Sequence, residues 1–238
     1  MRVHEIKQRS RKGVTKIYFG WWIAVGGAVL QGLQGGFLFH GFSAFFVFLE
    51  RDFGWGKAAL SGAFSITRVE SAILGPIQGW LIDKFGPAKI TVAGMLLFGL
   101  GFILFSRVQS LLGLYIAFIA VAVGSSLGGL LPVTASLVNW FVRKRAMAVG
   151  IAMSGMAVGG LVLVPLLAWS MTTFGWREAA FVSGITIWVV GLPAAMLLRR
   201  FPQDYGLLPD GDMEESNFET TNEDDQPISV RADVQVDF

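Results

Sequence analysis

Two charges stand inside an otherwise apolar stretch, "SITRVESAIL", where Arg68 and Glu70 sit among small and aliphatic residues. A guanidinium is a planar fork of donors that can grip a carboxylate with two parallel hydrogen bonds. Arg68 is therefore a candidate anion-binding residue. Ser65 shares its helical stripe, together with Ser61, Ala72, Gly75 and Gly79. Glu70 lies ~200° around the helix from Arg68, on the side of Ala63, Ile66, Ile73 and Ile77. It is expected to face another helix, where a structural role is weighed against proton transfer. His40, in a second apolar stretch, has a side chain whose reference pKa lies near neutrality. It is a candidate for proton coupling; the plainer alternative is a hydrogen-bonded packing histidine. "GSSLG", residues 124–128, matches the G-x-S-x-G pattern of serine hydrolases. Such a serine needs a general base, usually histidine, and the chain has only His4 and His40.

The elements that must position these residues follow from composition. The chain is 53% hydrophobic and only 15% charged, against about 25% charge in ordinary soluble domains. Apolar residues fill 19–198, and most of the acids lie in 204–237. This is the composition of an integral membrane protein with a polar tail. A spanning helix needs about 20 mostly apolar residues. Six segments are expected: 19–49, 58–81, 90–105, 111–138, 147–170 and 179–198. The breaks between them, "ERDFGWGK", "DKFGPAK", "SRVQS", "NWFVRKRA" and "TTFGWRE", carry glycine, charge or both.

Cytoplasmic loops keep positive charge. Arg2, Lys7, Arg9, Arg11, Lys12, Lys16, Lys84, Lys89, Arg143, Lys144, Arg145, Arg199 and Arg200 fall on one side of such a bundle. Only Arg51, Lys57, Arg107 and Arg177 fall on the other. Both termini are predicted to be cytoplasmic, in a multi-pass protein of the cell membrane. Trp21, Trp22, Trp55, Trp140 and Trp176 lie near span ends, where indole rings favour the membrane interface. Small residues four apart, Gly32 and Gly36, Gly124 and Gly128, Gly155 and Gly159, predict close helix crossings.

The domain reading is a basic arm over 1–18, a six-helix domain over 19–200 and an acidic disordered tail over 201–238. The basic arm orients the first span and is not read as binding nucleic acid. The chain has no cysteine, which removes disulfides, thiol catalysis and cysteine-bound zinc. No metal and no cofactor are expected. Six spans with a serine on the fourth resemble an intramembrane rhomboid protease. No histidine lies on the sixth span, where a rhomboid base belongs, so that reading is disfavoured and no enzyme is expected.

"GWLIDKFGPAK", between the second and third spans, resembles the signature loop of the major facilitator superfamily, G-x-x-x-D-R/K-x-G-R-R/K. Gly79, Asp83, Lys84 and Gly86 match it, and Lys89 lies near its basic end. Pro87 takes the place of an arginine, as in the monocarboxylate-porter-like branch. "NWFVRKRAMAVGIAMSG", "FGWW", "GWR" and "PQDYGLLPDGD" are similar to the monocarboxylate and oxalate/formate porters of that branch. The branch's acidic residue before the first tryptophan is missing, and Tyr18 and Phe19 stand there.

The resemblance implies an all-α membrane fold. It is the N-terminal six-helix half of a major facilitator fold, itself a 3+3 inverted repeat. It implies a site lined by spans one, two, four and five, with spans three and six toward lipid. It also places a proton-coupling residue of the branch beside Phe39 and His40. The expected function is alternating-access transport of a small organic anion such as a monocarboxylate, with proton coupling as an option. Membrane lipid is one partner, and a second six-helix half or a second copy is the other; the chain is expected to be a truncated half. Alternatives are a carrier of a neutral or amphipathic solute, or an inert fragment or assembly partner. Asp83 is expected to cap nearby helix N-termini, with Lys84 and Lys89 balancing its charge.

Overall fold

The computed structural model describes residues 18–211, without side-chain detail at residue 69 and residues 71–73. The basic arm before Tyr18, the acidic tail from residue 212 and the side chains of Ala72 and Ile73 lie outside the described residues.

Every regular element among the described residues is a helix. Span one runs as Phe19–Gln34, a π turn over Gly35–His40, and Phe42–Phe53. Span two is Lys57–Phe85, span three Pro87–Ser106 and span five Arg145–Phe174. Span four is broken into Leu111–Leu127 and Leu130–Trp140. Span six is Trp176–Thr186, a π turn over Ile187–Gly191, and Leu192–Met196. All six expected spans are present, each shifted by a few residues at its ends.

Five of them are long and apolar enough to cross a membrane. Span two is not among the five, although its 29 residues reach well past the ~30 Å of a hydrocarbon core. Arg68, Glu70, Gln78 and its small residues dilute its hydropathy. Such a helix is held in place by protein neighbours rather than by lipid.

The short turns between spans depend on glycine. Gly86 (φ 84°, ψ 155°) joins spans two and three, and Gly175 (φ 92°, ψ 158°) joins spans five and six. That backbone region is open essentially to glycine alone. The spacing from Pro76 to Gly86 recurs from Pro165 to Gly175, so the two turns are equivalent points of an internal repeat. Packing agrees. Span one crosses span five, and span two packs on span four. Exchanging one helix triplet for the other turns the first pair into the second. Span three lies between spans four and six.

The core is aromatic. Phe42 meets Phe118 and Phe45 meets Phe105 edge to face, with ring centroids 4.2 and 5.0 Å apart. Phe105 also meets Phe118 edge to face, tying spans one, three and four together. The small-residue pairs mark real crossings. A Cβ at Gly32 would stand 3.2 Å from the Gly155 carbonyl oxygen, and one at Gly159 would overlap the Gly32 carbonyl.

Two tryptophans depart from the interfacial role. Trp140 is fully buried and donates its indole N–H to the Arg199 carbonyl at 3.2 Å. Trp176 is also buried, and its N–H reaches the Asp52 carboxylate at 2.6 Å. Each indole has a protein acceptor at a span junction, so the ring is satisfied inside the bundle instead of at the headgroups. Trp22 does remain half exposed.

Candidate functional site

Spans one, two, four and five line an open cavity of about 270 Å³. It forms where two spans lose regular helix. In span one the π turn ends at His40, and such turns re-aim side chains at functional sites. In span four, Pro132 cannot donate a backbone hydrogen bond and its ring excludes the carbonyl four residues back. The helix accordingly breaks at Gly128–Gly129. A side chain on Gly129 would press on the Ser125 carbonyl and the Gln34 amide, so the break and the close approach both use glycine.

Three buried glutamines give the cavity its polarity. Gln34 donates through Nε2 to the Ser125 carbonyl at 2.8 Å. Gln78 of span two donates to the Ser126 carbonyl, and the Ser126 hydroxyl leans toward Gln78 Oε1 at 3.4 Å. Gln31 is 1% exposed, and its Oε1 has no hydrogen-bond donor among the described residues. Phe39, Met153 and Met156 supply apolar wall. Gln31 and Gln34 stand with His40 on span one, a span that the family resemblance places on the site. Gln78 goes unread in the sequence, because a lone amide near the end of span two carries no charge contrast.

Arg68 stands beside this cavity, exposed, with its guanidinium carbon 5.9 Å from the ring centre of Phe39. Among the described residues no carboxylate pairs with it. Ser65 is exposed on the same helix face, and its hydroxyl donates to the Ser61 carbonyl at 2.9 Å. The hydroxyl is thus turned back on its own helix and keeps only its acceptor lone pairs for a ligand. Glu70 is half-buried and away from the exposed Arg68 face. His40 is exposed, and its imidazole lies over Gly160 of span five, where an added Cβ would come 2.7 Å from Cδ2. The structure thus brings Arg68, Phe39 and the glutamine cavity together, with His40 next along the chain.

The G-x-S-x-G stretch has another job. Gly124 packs on the span-three backbone at Phe98, and Gly128 packs on Met95. Ser125 is buried and donates to the Ala122 carbonyl at 3.0 Å. The pattern builds the break in span four, and among the described residues the two serine hydroxyls bond the Ala122 carbonyl and Gln78, not a histidine.

The signature loop, Gly79 to Lys89, departs from the expected capping. Span three starts at Gly86 with no side-chain cap. Pro87 takes the first helical position, where its missing N–H leaves one fewer donor to satisfy. Asp83 is exposed, in the last turn of span two, and its backbone carbonyl accepts a 2.7 Å bond from Arg200. Lys84 stacks on Trp80, 4.7 Å from the ring centre, instead of balancing Asp83. Lys89 is exposed in the first turn of span three.

A carboxylate does hold backbone N–H groups at this end of the bundle, in the loop before span five, and it comes from another acid. The tail expected over 201–238 opens with two short turns, Gln203–Tyr205 and Pro209–Gly211. Asp210 accepts from the backbone N–H groups of Val142, Arg143 and Lys144 at 3.0, 2.7 and 3.2 Å, just before span five begins. Tyr18 ties in nearby, bonding the carbonyls of Trp140 and Leu208. Partial burial pushes the Asp210 carboxyl up, but the three N–H bonds and the Arg143 charge outweigh it and hold the group below its ordinary value. A lowered pKa stabilises the folded contact above the carboxylate range and is lost as pH falls through the lowered value. Asp210→Asn should therefore loosen the clasp at neutral pH. Amide exchange at Val142, Arg143 and Lys144 should speed up about tenfold or more, the scale of a lost charge-assisted hydrogen bond. Unchanged exchange would show that the clasp does not hold.

A family model described as Major Facilitator Superfamily matches residues 27–223, well over half of the chain. Monocarboxylate transporter 13 of Bos taurus is 30% identical over 180 residues, which cover 74% of this chain and 42% of that protein. Monocarboxylate transporter 3 of Rattus norvegicus is 34% identical over 179 residues, covering 73% of this chain and 36% of that protein. A probable sulfoacetate transporter of Cupriavidus necator is 30% identical over 138 residues, covering 57% of this chain and 32% of that protein. The chain spans less than half the length of these relatives. With its helical bundle, its repeated triplets and its signature loop, this chain belongs to the major facilitator superfamily.

Proposed function

We propose that this chain forms one half of a membrane carrier for a small organic anion, of which Arg68 is the fixed positive charge. The observation that carries the reading is Arg68 itself. A cation inside an apolar span costs ~2.5–3.5 kcal/mol on insertion scales. It lies beside a cavity and on an aromatic ring rather than on a carboxylate. The names of the relatives, monocarboxylate and sulfoacetate transporters, are those of carriers of small organic anions, in keeping with this. Ser65 offers a lone pair nearby. His40 and Glu70 are the groups through which a proton would be coupled to the anion, and Asp83, Lys84 and Lys89 belong to the loop that paces the conformational change.

The carrier is completed by a second six-span half or a second copy. Span five leaves Val158, Leu161, Val162 and Trp169 exposed, the kind of face such a partner would cover. The purified chain, reconstituted as a monomer in lipid vesicles, should bind butanoate yet transport none of it. Absence of binding overturns the anion reading, and robust monomeric uptake overturns the half-carrier reading. The neutral-solute alternative draws its support from the uncharged glutamine lining and would show as butanoate-independent binding of polyols.

Both termini belong to the cytoplasmic side in this reading, in the plasma membrane. Cysteines placed at Ser10 and Ser216 should react only with reagent on that side, and one at Thr173 only from outside. Reaction of all three from a single side would remove the six-span topology.

A further inference from the structure

Spans three and six pack together. At the end of the bundle opposite the signature loop, a second open cavity of about 290 Å³ lies between them. Its wall holds two cations and one anion, Arg107, Arg177 and Glu178, with Ser106 and Phe181. Arg177 is fixed in position. Its Nη2 donates to the Val108 carbonyl at 3.2 Å, and its guanidinium carbon stands 4.6 Å from the ring centre of Trp176 and 5.6 Å from that of Phe53. That bond uses one N–H, and a guanidinium has five. Arg107 and Glu178 are exposed and have no hydrogen bond or ion pair among the described residues. The Ser106 hydroxyl is turned away, donating to the Ile103 carbonyl at 2.7 Å. Apolar surface continues from the charges along the spans. Phe181 and Ile185 follow Arg177 at four-residue steps, so they share its helix face, and both are exposed. Leu104 of span three, close before Arg107, is exposed as well. Long charged side chains at a span end keep their heads at the level of the lipid headgroups.

We propose that this cleft binds the headgroup of a phosphatidylethanolamine lipid. Arg107 and Arg177 take the phosphate, Glu178 takes the primary ammonium, and the acyl chains run along Phe181 and Ile185. Guanidinium groups match the geometry of phosphate oxygens. An ammonium brings N–H donors to the carboxylate, whereas the methylated nitrogen of a choline headgroup brings none. A free phosphate shares the contact with the two arginines and lacks both the ammonium and the chains. None of these residues lines the glutamine cavity, so lipid binding here does not depend on which solute the chain carries.

The test is displacement of a tail-labelled fluorescent phosphatidylethanolamine from the full chain in detergent micelles, read by anisotropy. The competitors are phosphatidylethanolamine, phosphatidylcholine and phosphatidylglycerol with the same acyl chains. Phosphatidylethanolamine should displace the probe roughly threefold to fivefold more tightly than the other two, the scale of one exposed ion pair. Glu178→Gln should abolish its advantage over phosphatidylcholine and leave phosphatidylcholine binding unchanged. Arg107→Gln should weaken all three lipids by a similar factor. Both side chains are exposed, so neither substitution should disturb the fold. Equal binding of the ethanolamine and choline lipids by the unaltered chain overturns the proposal, as does an advantage that survives in Glu178→Gln. Tightest binding of phosphatidylglycerol also overturns it, because the cleft would then read only negative charge. Displacement by glycerophosphoethanolamine or inorganic phosphate as effective as by the whole lipid would make this a site for free anions and would overturn it too.

Discussion

Gly159→Leu should break the crossing of spans one and five and yield a chain that no longer behaves as a folded, monodisperse membrane protein. At this crossing backbone lies on backbone. A Cβ on Gly159 would overlap the Gly32 carbonyl, and one on Gly155 would overlap the carbonyl of Ala28. Overpacking a well-filled core costs about 1–3 kcal/mol where side chains can give way. Here the obstacle is main chain in a helix, which has no rotamer to change, so the helices must separate. The crossing also carries the site. It holds Met156 against Gly35, at the start of the π turn that leads to Phe39 and His40. Gly160→Ala is the matched control, one residue on. The three heavy atoms nearest its methyl group all belong to the His40 ring, which is exposed and can turn aside. Thermal unfolding in detergent should show a large loss for Gly159→Leu, a smaller but clear loss for Gly159→Ala, and little change for Gly160→Ala. Equal midpoints for all three would mean that spans one and five do not cross there.

The sequence carries the fold through contrast, and the site only where contrast exists. Six apolar runs bounded by Gly and charge are read directly, because length and hydropathy decide whether a helix spans a membrane. Arg68 stands out for the same reason. Gln31 and Gln34 mark span one only beside His40, and Gln78 does not stand out at all, since a neutral amide in an apolar run looks like any polar interruption. Only the approach of spans one, two and four makes them one lining. "GSSLGGLLP" reads as a nucleophile pattern when taken alone. Its meaning, a helix break at the cavity, depends on Pro132 and on Met95 and Phe98 of span three. Asp210 sits in an acidic run and reads as a solvated charge. Its three backbone donors lie 66–68 residues away in sequence, beyond any local pattern. Trp140 and Trp176 occupy span ends, as interfacial tryptophans do, yet their N–H groups find acceptors inside the bundle. The repeat is legible in "FGPAK" and "FGWRE", but its weight comes from the backbone, because Gly86 and Gly175 adopt the same glycine-only conformation.

Arg68→Gln should nearly abolish anion binding, and Arg68→Lys should weaken it, in the chain assembled with the half or copy that completes it. The two substitutions separate charge from shape. Lysine keeps a positive charge on a flexible stem but loses the fork that holds a carboxylate by two parallel bonds. Glutamine keeps polarity and loses both. Neither should harm insertion. Span two already lies outside the five most apolar helices, and removal of a cation lowers the cost of placing it in lipid. A purely structural arginine would behave differently. It would need an acid or a set of carbonyls to hold, and its loss would leave those groups unanswered and destabilise the bundle. Arg68 instead lies over the Phe39 ring, exposed, with no paired carboxylate among the described residues. A cation over an aromatic face is worth about 0.5–1 kcal/mol at an exposed site, too little to offset ~2.5–3.5 kcal/mol of insertion cost. The remaining difference is what a bound anion would return. Butanoate titrations of Arg68→Gln and Arg68→Lys beside the parent decide it. If Arg68→Gln binds butanoate as tightly as the parent while its unfolding midpoint falls, Arg68 is a structural charge and the anion has no fixed partner in this half.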